Sequence, residues 1–220
     1  MKTKKYKNLK ILLPIILIIF VVLVLTMCFV LPKPITEKTY FKSVENSNYT
    51  KQIQQTSIKE DNIILYEKNE TVVFDKGKIY HKIEEKVLSS SNNEDYEELT
   101  LEFYYDNNYI YYYHENEWKV ENFNFKEKLQ KYNFKNEYFS SINYDKEFEN
   151  TGVLLAIVND NNIQDILNKN VNYKNLNLII TINNLRKIEG LNFECQNSLN
   201  QNVIILNSYS YENEVVNLPL

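Results

Sequence analysis

The sequence predicts an α+β domain dominated by a curved, mainly antiparallel β-sheet, held behind one N-terminal transmembrane helix. Three observations carry this expectation. An uncharged apolar run from Ile11 to Leu31 follows a lysine-rich start. Beyond it, segments with the period-two alternation of strands succeed one another, with only short helical patterns among them. Only Gly77, Gly152, Gly190 and Pro219 punctuate the chain after Pro34. No glycine- or proline-rich linker therefore divides the body, and one continuous domain is expected.

The first 35 residues read as three pieces. Residues 1–10 carry Lys2, Lys4, Lys5, Lys7 and Lys10 and form a basic cytoplasmic segment. Residues 11–31 form the transmembrane anchor, because about 20 apolar residues cross a hydrocarbon core. A secretory leader has a shorter apolar stretch and small residues at its cleavage site, whereas this run ends Met27-Cys28-Phe29-Val30. Lysines before the helix keep that end in the cytoplasm, so the protein is expected in the cell membrane as a single-pass chain. Pro14 falls near the start of the helix, where it is tolerated. Residues 32–35, with Pro32 and Pro34, are a short spacer, and residues 36–220 are the extracytoplasmic domain. Leu25-Thr26-Met27-Cys28 is also similar to a bacterial lipoprotein box, which makes lipidation of Cys28 the weaker alternative. Met27 stands where that box needs a small residue, and apolar residues continue past the cysteine.

Charge narrows the partners. No acidic residue lies before position 31, so the outer part holds 20 basic and 29 acidic residues, a net charge of −9. Phosphate backbones require a basic surface, which excludes nucleic acid as a partner. Cys195 is the only cysteine outside the anchor. It shares an apolar strand face with Leu191 and Phe193, which makes it a buried structural residue.

Within the domain, Thr36 caps a helix to Asn46 whose Tyr40, Phe41 and Val44 form one stripe. Ile63–Tyr66 and Thr71–Phe74 read as two strands around a polar turn at Lys68-Asn69. Asp75–Lys78 is a turn with Gly77 at positive φ, followed by a strand through Ile79, His81 and Ile83. Residues 89–93 are a loop. Leu99, Leu101, Phe103 and Tyr105 then alternate with Thr100, Glu102 and Tyr104. Asn107-Asn108 suits a two-residue hairpin turn, which pairs Tyr105 with Ile110, Phe103 with Tyr112 and Leu101 with His114. Tyr104 meets Tyr111 on the opposite face, and Glu102 lies opposite Tyr113. Trp118 opens a third strand after a turn at Asn116-Glu117. Residues 124–132 read as a short helix and residues 133–150 are ambiguous. Gly152–Val158 is a strand, and Asn161 or Asn162 caps a helix with Ile163, Ile166 and Leu167 on one stripe. Leu176–Ile182, Arg186–Cys195 and Asn202–Tyr211 are the last strands.

This order of elements resembles the LolA-like/LppX-like superfamily of bacterial lipoproteins, in its small membrane-tethered Gram-positive form. The resemblance covers most of residues 36–220. It rests on the anchor with a helix behind it, the tyrosine-rich hairpin running to Trp118-Lys119, the unit from Leu154 to Leu167, and the ending from Val203–Leu206 to Pro219. It implies an open antiparallel half-barrel with short helices across its concave face. It also implies a non-enzymatic protein, one that holds a lipid or acyl chain between sheet and helices. It supplies no catalytic residue to carry over.

The residues themselves offer little enzyme chemistry. His81 and His114 are the only histidines, and no G-x-S-x-G elbow or H-E-x-x-H pair accompanies them. No phosphate-cradling loop or cofactor motif is present, so no cofactor is expected. Asp160–Asp165 lacks the glycine and terminal glutamate of a calcium loop and reads as a helix cap. Carboxylate pairs such as Glu84-Glu85, Glu97-Glu98 and Asp145/Glu147 read as solvated surface. Two functions are then expected: a holder of a lipid or other amphiphile, or an interaction or sensing domain for an envelope protein. Phe103, Tyr105, Ile110, Tyr112 and Trp118 are the candidate ligand or partner face.

Overall fold

The two ends of the folded chain meet in the middle of one sheet. In the computed structural model, which describes residues 20–21, 34–89, 95–106, 108–123, 132, 134–167 and 172–219, β1 (Lys51–Glu60) pairs antiparallel with β11 (Asn202–Ser210). Their register runs from Lys51 opposite Ser210 to Lys59 opposite Asn202. From β1 the chain meanders outward through β2 (Ile63–Asp75), β3 (Lys78–Leu88), β4 (Tyr96–Asp106), β5 (Tyr109–His114) and β6 (Glu117–Asn122). It resumes at the opposite edge with β7 (Phe139–Tyr144) and returns through β8 (Thr151–Val158), β9 (Lys174–Asn183) and β10 (Ile188–Gln196) to β11. The result is an open sheet of 11 strands in the order β6-β5-β4-β3-β2-β1-β11-β10-β9-β8-β7, with β6 and β7 as its edges.

The β7–β11 half holds the main core. Leu154, Leu176, Leu178, Ile180, Ile182, Leu191, Phe193 and Val203 are all fully buried. Each such side chain contributes about 1.5–3 kcal/mol by leaving water. Two short helices complete this cluster. α1 (Glu37–Glu45) presents Tyr40, Phe41 and Val44, as its sequence stripe requires, and the Thr36 N–H donates to Thr39 Oγ1 at 3.1 Å to close its start. α2 (Ile163–Leu167) is a single turn after a 3₁₀ segment at Asp160–Asn162, and Ile163, Ile166 and Leu167 are buried in the same cluster.

Several expectations change. β1 was not anticipated, and β2 is one strand of 13 residues where a hairpin about Lys68-Asn69 was expected. Its ladder to β3 runs unbroken from Tyr66 opposite Val87 to Asp75 opposite Lys78. The ambiguous stretch contains a 3₁₀ turn at Asn136–Tyr138 and edge strand β7. The helix expected over 124–132 lies outside the described residues except for Tyr132, as does the tip of the loop at 90–94. Among the described residues no helix is long and apolar enough to cross a membrane. The anchor at 11–31 and Cys28 lie outside them, apart from Phe20 and Val21, both helical.

Glycine is required at Gly152 for a close approach: a Cβ there would sit 2.4 Å from the Phe148 ring and 2.8 Å from the Tyr40 hydroxyl. Replacing it with alanine is expected to lower stability. A more graded test compares Leu178, fully buried, with Leu155 on the same sheet, 49 % exposed. Leu178→Ala should cost about 2–5 kcal/mol in urea unfolding, and Leu155→Ala no more than about 0.5 kcal/mol.

Candidate ligand face

Directly opposed residues of an antiparallel ladder point to the same side, so the register traces one face across the sheet. One row runs Leu101, Ile83, Glu70, Gln54, Asn207, Leu191, Ile180 and Leu154, from β4 to β8. The next runs Leu99, Glu85, Lys68, Thr56, Ile205, Phe193, Leu178 and Ala156. Each row begins apolar, turns polar on the central strands, and ends in the sealed core. The core face therefore has three zones.

The central zone is a hydrogen-bonded polar seam. Asn207, only 2 % exposed, accepts from Gln52 Nε2 at 3.1 Å and Gln54 Nε2 at 2.7 Å, and donates to the Leu191 carbonyl at 2.6 Å. Tyr49 donates to Gln52 Oε1 at 3.1 Å. Farther out, Lys68 Nζ lies 3.1 Å from Glu70 and 3.9 Å from Glu85, and His81 Nε2 lies 3.3 Å from Glu70. The Tyr66 hydroxyl donates to Glu85 at 3.2 Å. Burial acts to raise the Glu70 carboxyl, but the His81 hydrogen bond and the Lys68 ammonium outweigh it and hold the group below its ordinary value of 4.5. Burial, with the Glu85 charge next, pushes the Tyr66 phenol up to about 12.

The outer zone is apolar and unevenly covered. Val72, Ile79 and Tyr105 are buried, with Phe74, Phe103, Ile110 and Phe123 packed around them. Burial pushes Tyr105 up to about 12. The expected hairpin register is observed at Tyr105–Ile110, Phe103–Tyr112 and Tyr104–Tyr111. The ladder stops there, so the Leu101–His114 and Glu102–Tyr113 pairs do not form. Beyond that point Leu101 is 39 % and Leu99 49 % exposed.

Four of the five candidate face residues, Phe103, Tyr105, Ile110 and Tyr112, thus share the core face. Trp118 does not join them. The turn before it is Glu115-Asn116, both at positive φ (53° and 65°), one residue earlier than expected. The observed turn pairs Trp118 with Tyr113 on the outer face. The turn expected one residue later pairs it with Glu115, which alternates to that same face, so Trp118 belongs with the outer-face tyrosines in either register. There its ring lies 5.7 Å from Tyr104 and 5.4 Å from Tyr113.

The other polar residues singled out in the sequence are dispersed. Cys195 is buried, and burial pushes its thiol up to about 11. His114 sits exposed beside Glu115. Asp160 accepts from the Asn175 N–H at 3.2 Å. Glu84 and Glu85 are neighbours on a strand and point to opposite faces, Glu84 toward Lys82 and Glu85 toward Lys68, which is why a sequence-adjacent pair makes no carboxylate dyad. Among the described residues no group of His, Cys, Asp and Glu is placed to hold a metal ion. Two open pockets of about 400 Å³ lie elsewhere, one beside Lys38, Lys42 and Lys135, the other beside Asn177 and Glu194. The seam was missed in the sequence because its residues belong to β1 and the middle of β2, where the apolar signal fails.

No family model matches the sequence, and no curated protein does. Among solved structures, LprF from Mycobacterium bovis superposes with a TM-score of 0.41 at 10 % identity, over 83 % of this chain and 97 % of its own. The Mycobacterium tuberculosis lipoprotein LppX gives 0.41 at 9 % identity, over 84 % of this chain and 100 % of its own. At that identity no residue role transfers between the chains.

The lowered Glu70 value fixes a sign. A carboxyl depressed in the folded state stabilises above its unfolded pKa and loses that contribution as pH falls through its native one. Urea midpoints followed downward from pH 7 should therefore fall below the ordinary value of 4.5 more steeply in the natural protein than in Glu70→Gln. Parallel curves would remove the Glu70 contribution.

Proposed function

We propose that the protein is a non-enzymatic domain tethered outside the cell membrane, which holds a lipid or other amphiphile against the core face of β2–β5. One observation carries this reading. On a face whose other half is sealed, Leu99 and Leu101 stay 49 % and 39 % exposed beside a charged seam. Neighbouring apolar side chains left open on the core side of a sheet and rimmed by polar ones are the arrangement of a ligand-binding groove. The lysine-flanked apolar run at 11–31 supports a position at the membrane, where such ligands are found. The test is to purify the full chain from membranes and analyse the lipid that accompanies it. Lipid should be present with the natural chain and strongly reduced with Leu99→Glu/Leu101→Glu. A chain that carries no more lipid than this variant contradicts the proposal.

The outer face supports a second reading, an envelope protein-interaction or sensing surface. Tyr104, Tyr109, Tyr111, Tyr113 and Trp118 all lie there near the β6 edge, with Tyr113 57 % exposed. Aromatic side chains with a polar tip are favoured at protein interfaces. Crosslinking in cells should lose its partner bands when Tyr104, Tyr109 and Tyr111 become Ser, and unchanged bands count against this reading.

A further inference from the structure

We infer that the amphiphile held on the β2–β4 core face carries an uncharged, hydroxyl-rich headgroup, received by Tyr66, Lys68, Glu70 and Glu85. This rests on the amphiphile-holding reading and names the chemistry of its ligand. The register places tail and head surfaces side by side: Leu99 is directly opposite Glu85, and Leu101 is opposite Ile83, which is opposite Glu70. The charged side chains are accessible from that side, Lys68 at 25 %, Glu70 at 21 % and Glu85 at 31 %. The equivalent positions in the other half are Phe193, Leu178 and Leu191, all fully buried. Nothing in the pleat requires charge here, since a fully covered face would carry apolar residues, as β9 and β10 do.

The charges select the head. Two carboxylates flank one ammonium at 3.1 and 3.9 Å, in a domain whose outer part has a net charge of −9. A phosphate brought to Lys68 would stand against both carboxylates, and like charges so close repel strongly in a half-buried site. A cationic head meets the opposite obstacle, because Lys68 already occupies the position between the acids. A hydroxyl meets neither. It donates to the free carboxylate lone pairs and accepts from the remaining Lys68 protons, and several hydroxyls on one ring use both. The Tyr66 phenol, held protonated, adds a polar edge. An alkyl tail then extends over Leu99 and Leu101.

Two probes of equal tail length test this: octyl β-glucoside and octyl phosphate, titrated below their micelle concentrations into the full chain in phosphatidylcholine nanodiscs, with empty nanodiscs subtracted. The glucoside should bind at least about tenfold more tightly than the phosphate, a difference of about 1.4 kcal/mol. Glu85→Gln should weaken the glucoside without admitting the phosphate, and Glu85→Lys should reverse the preference, with circular dichroism confirming both variants folded. Equal or tighter phosphate binding overturns the headgroup inference and leaves amphiphile holding intact. Binding of neither probe overturns both. A preference that survives Glu85→Lys unchanged places the head elsewhere and overturns the assignment to these residues.

Discussion

The pairing of β1 with β11 is the constraint on which the rest of the structure depends. It joins segments about 150 residues apart, from Lys51–Ser210 to Lys59–Asn202, and makes one sheet of two meanders that otherwise share no ladder. Closing so long a loop costs entropy that grows only slowly with length, but contacts of such separation form late and fold slowly. Asn207 ties the seam at this junction, because it binds side chains of β1 and the backbone of β10 at once. A buried amide left without partners there would cost about 1–3 kcal/mol. The network therefore fixes register as well as polarity.

That junction also explains why the two halves differ. On the β7–β11 side, α1 and α2 complete the core, and alternate residues of β9 from Leu176 to Ile182 and of β10 from Leu191 to Cys195 are apolar and buried. On the β2–β5 side cover is partial: it closes over Val72, Ile79 and Tyr105 and leaves Leu99 and Leu101 open. β4 also lacks a β5 neighbour at Leu99 and Leu101, because β5 pairs with it only from Phe103 to Asp106. A surface with an apolar strip, a charged border and a rigid core behind it is what an amphiphile requires of a holder, which is why the functional proposal follows from the asymmetry.

Much of this was legible in the sequence, and the failures share a physical cause. α1 and the strand carrying Leu191, Phe193 and Cys195 announce themselves through apolar periodicity, and the Tyr105–Ile110 register through the asparagine pair between the two strands. β1 does not, because its core-face positions are Gln52, Gln54 and Thr56. β2 looked like two strands because Lys68-Asn69 reads as a polar turn, whereas Lys68 and Glu70 are seam residues inside a continuous ladder. Pattern reading assumes that a core face is apolar, so it is blind where the face is polar for another purpose. Trp118 failed differently: the candidate face groups it with the core-face aromatics, although the expected turn and the observed Glu115-Asn116 turn both pair it with an odd-numbered residue, the outer-face set of β5.

The central claim is that one sheet carries a sealed half and an accessible half, joined at the β1–β11 ladder. Amide hydrogen exchange of the full chain tests it directly. Amides of β8–β11 and β1 should exchange only through global unfolding, while those of β4–β6 exchange through a smaller, separate opening. Equal protection in both halves would contradict the account.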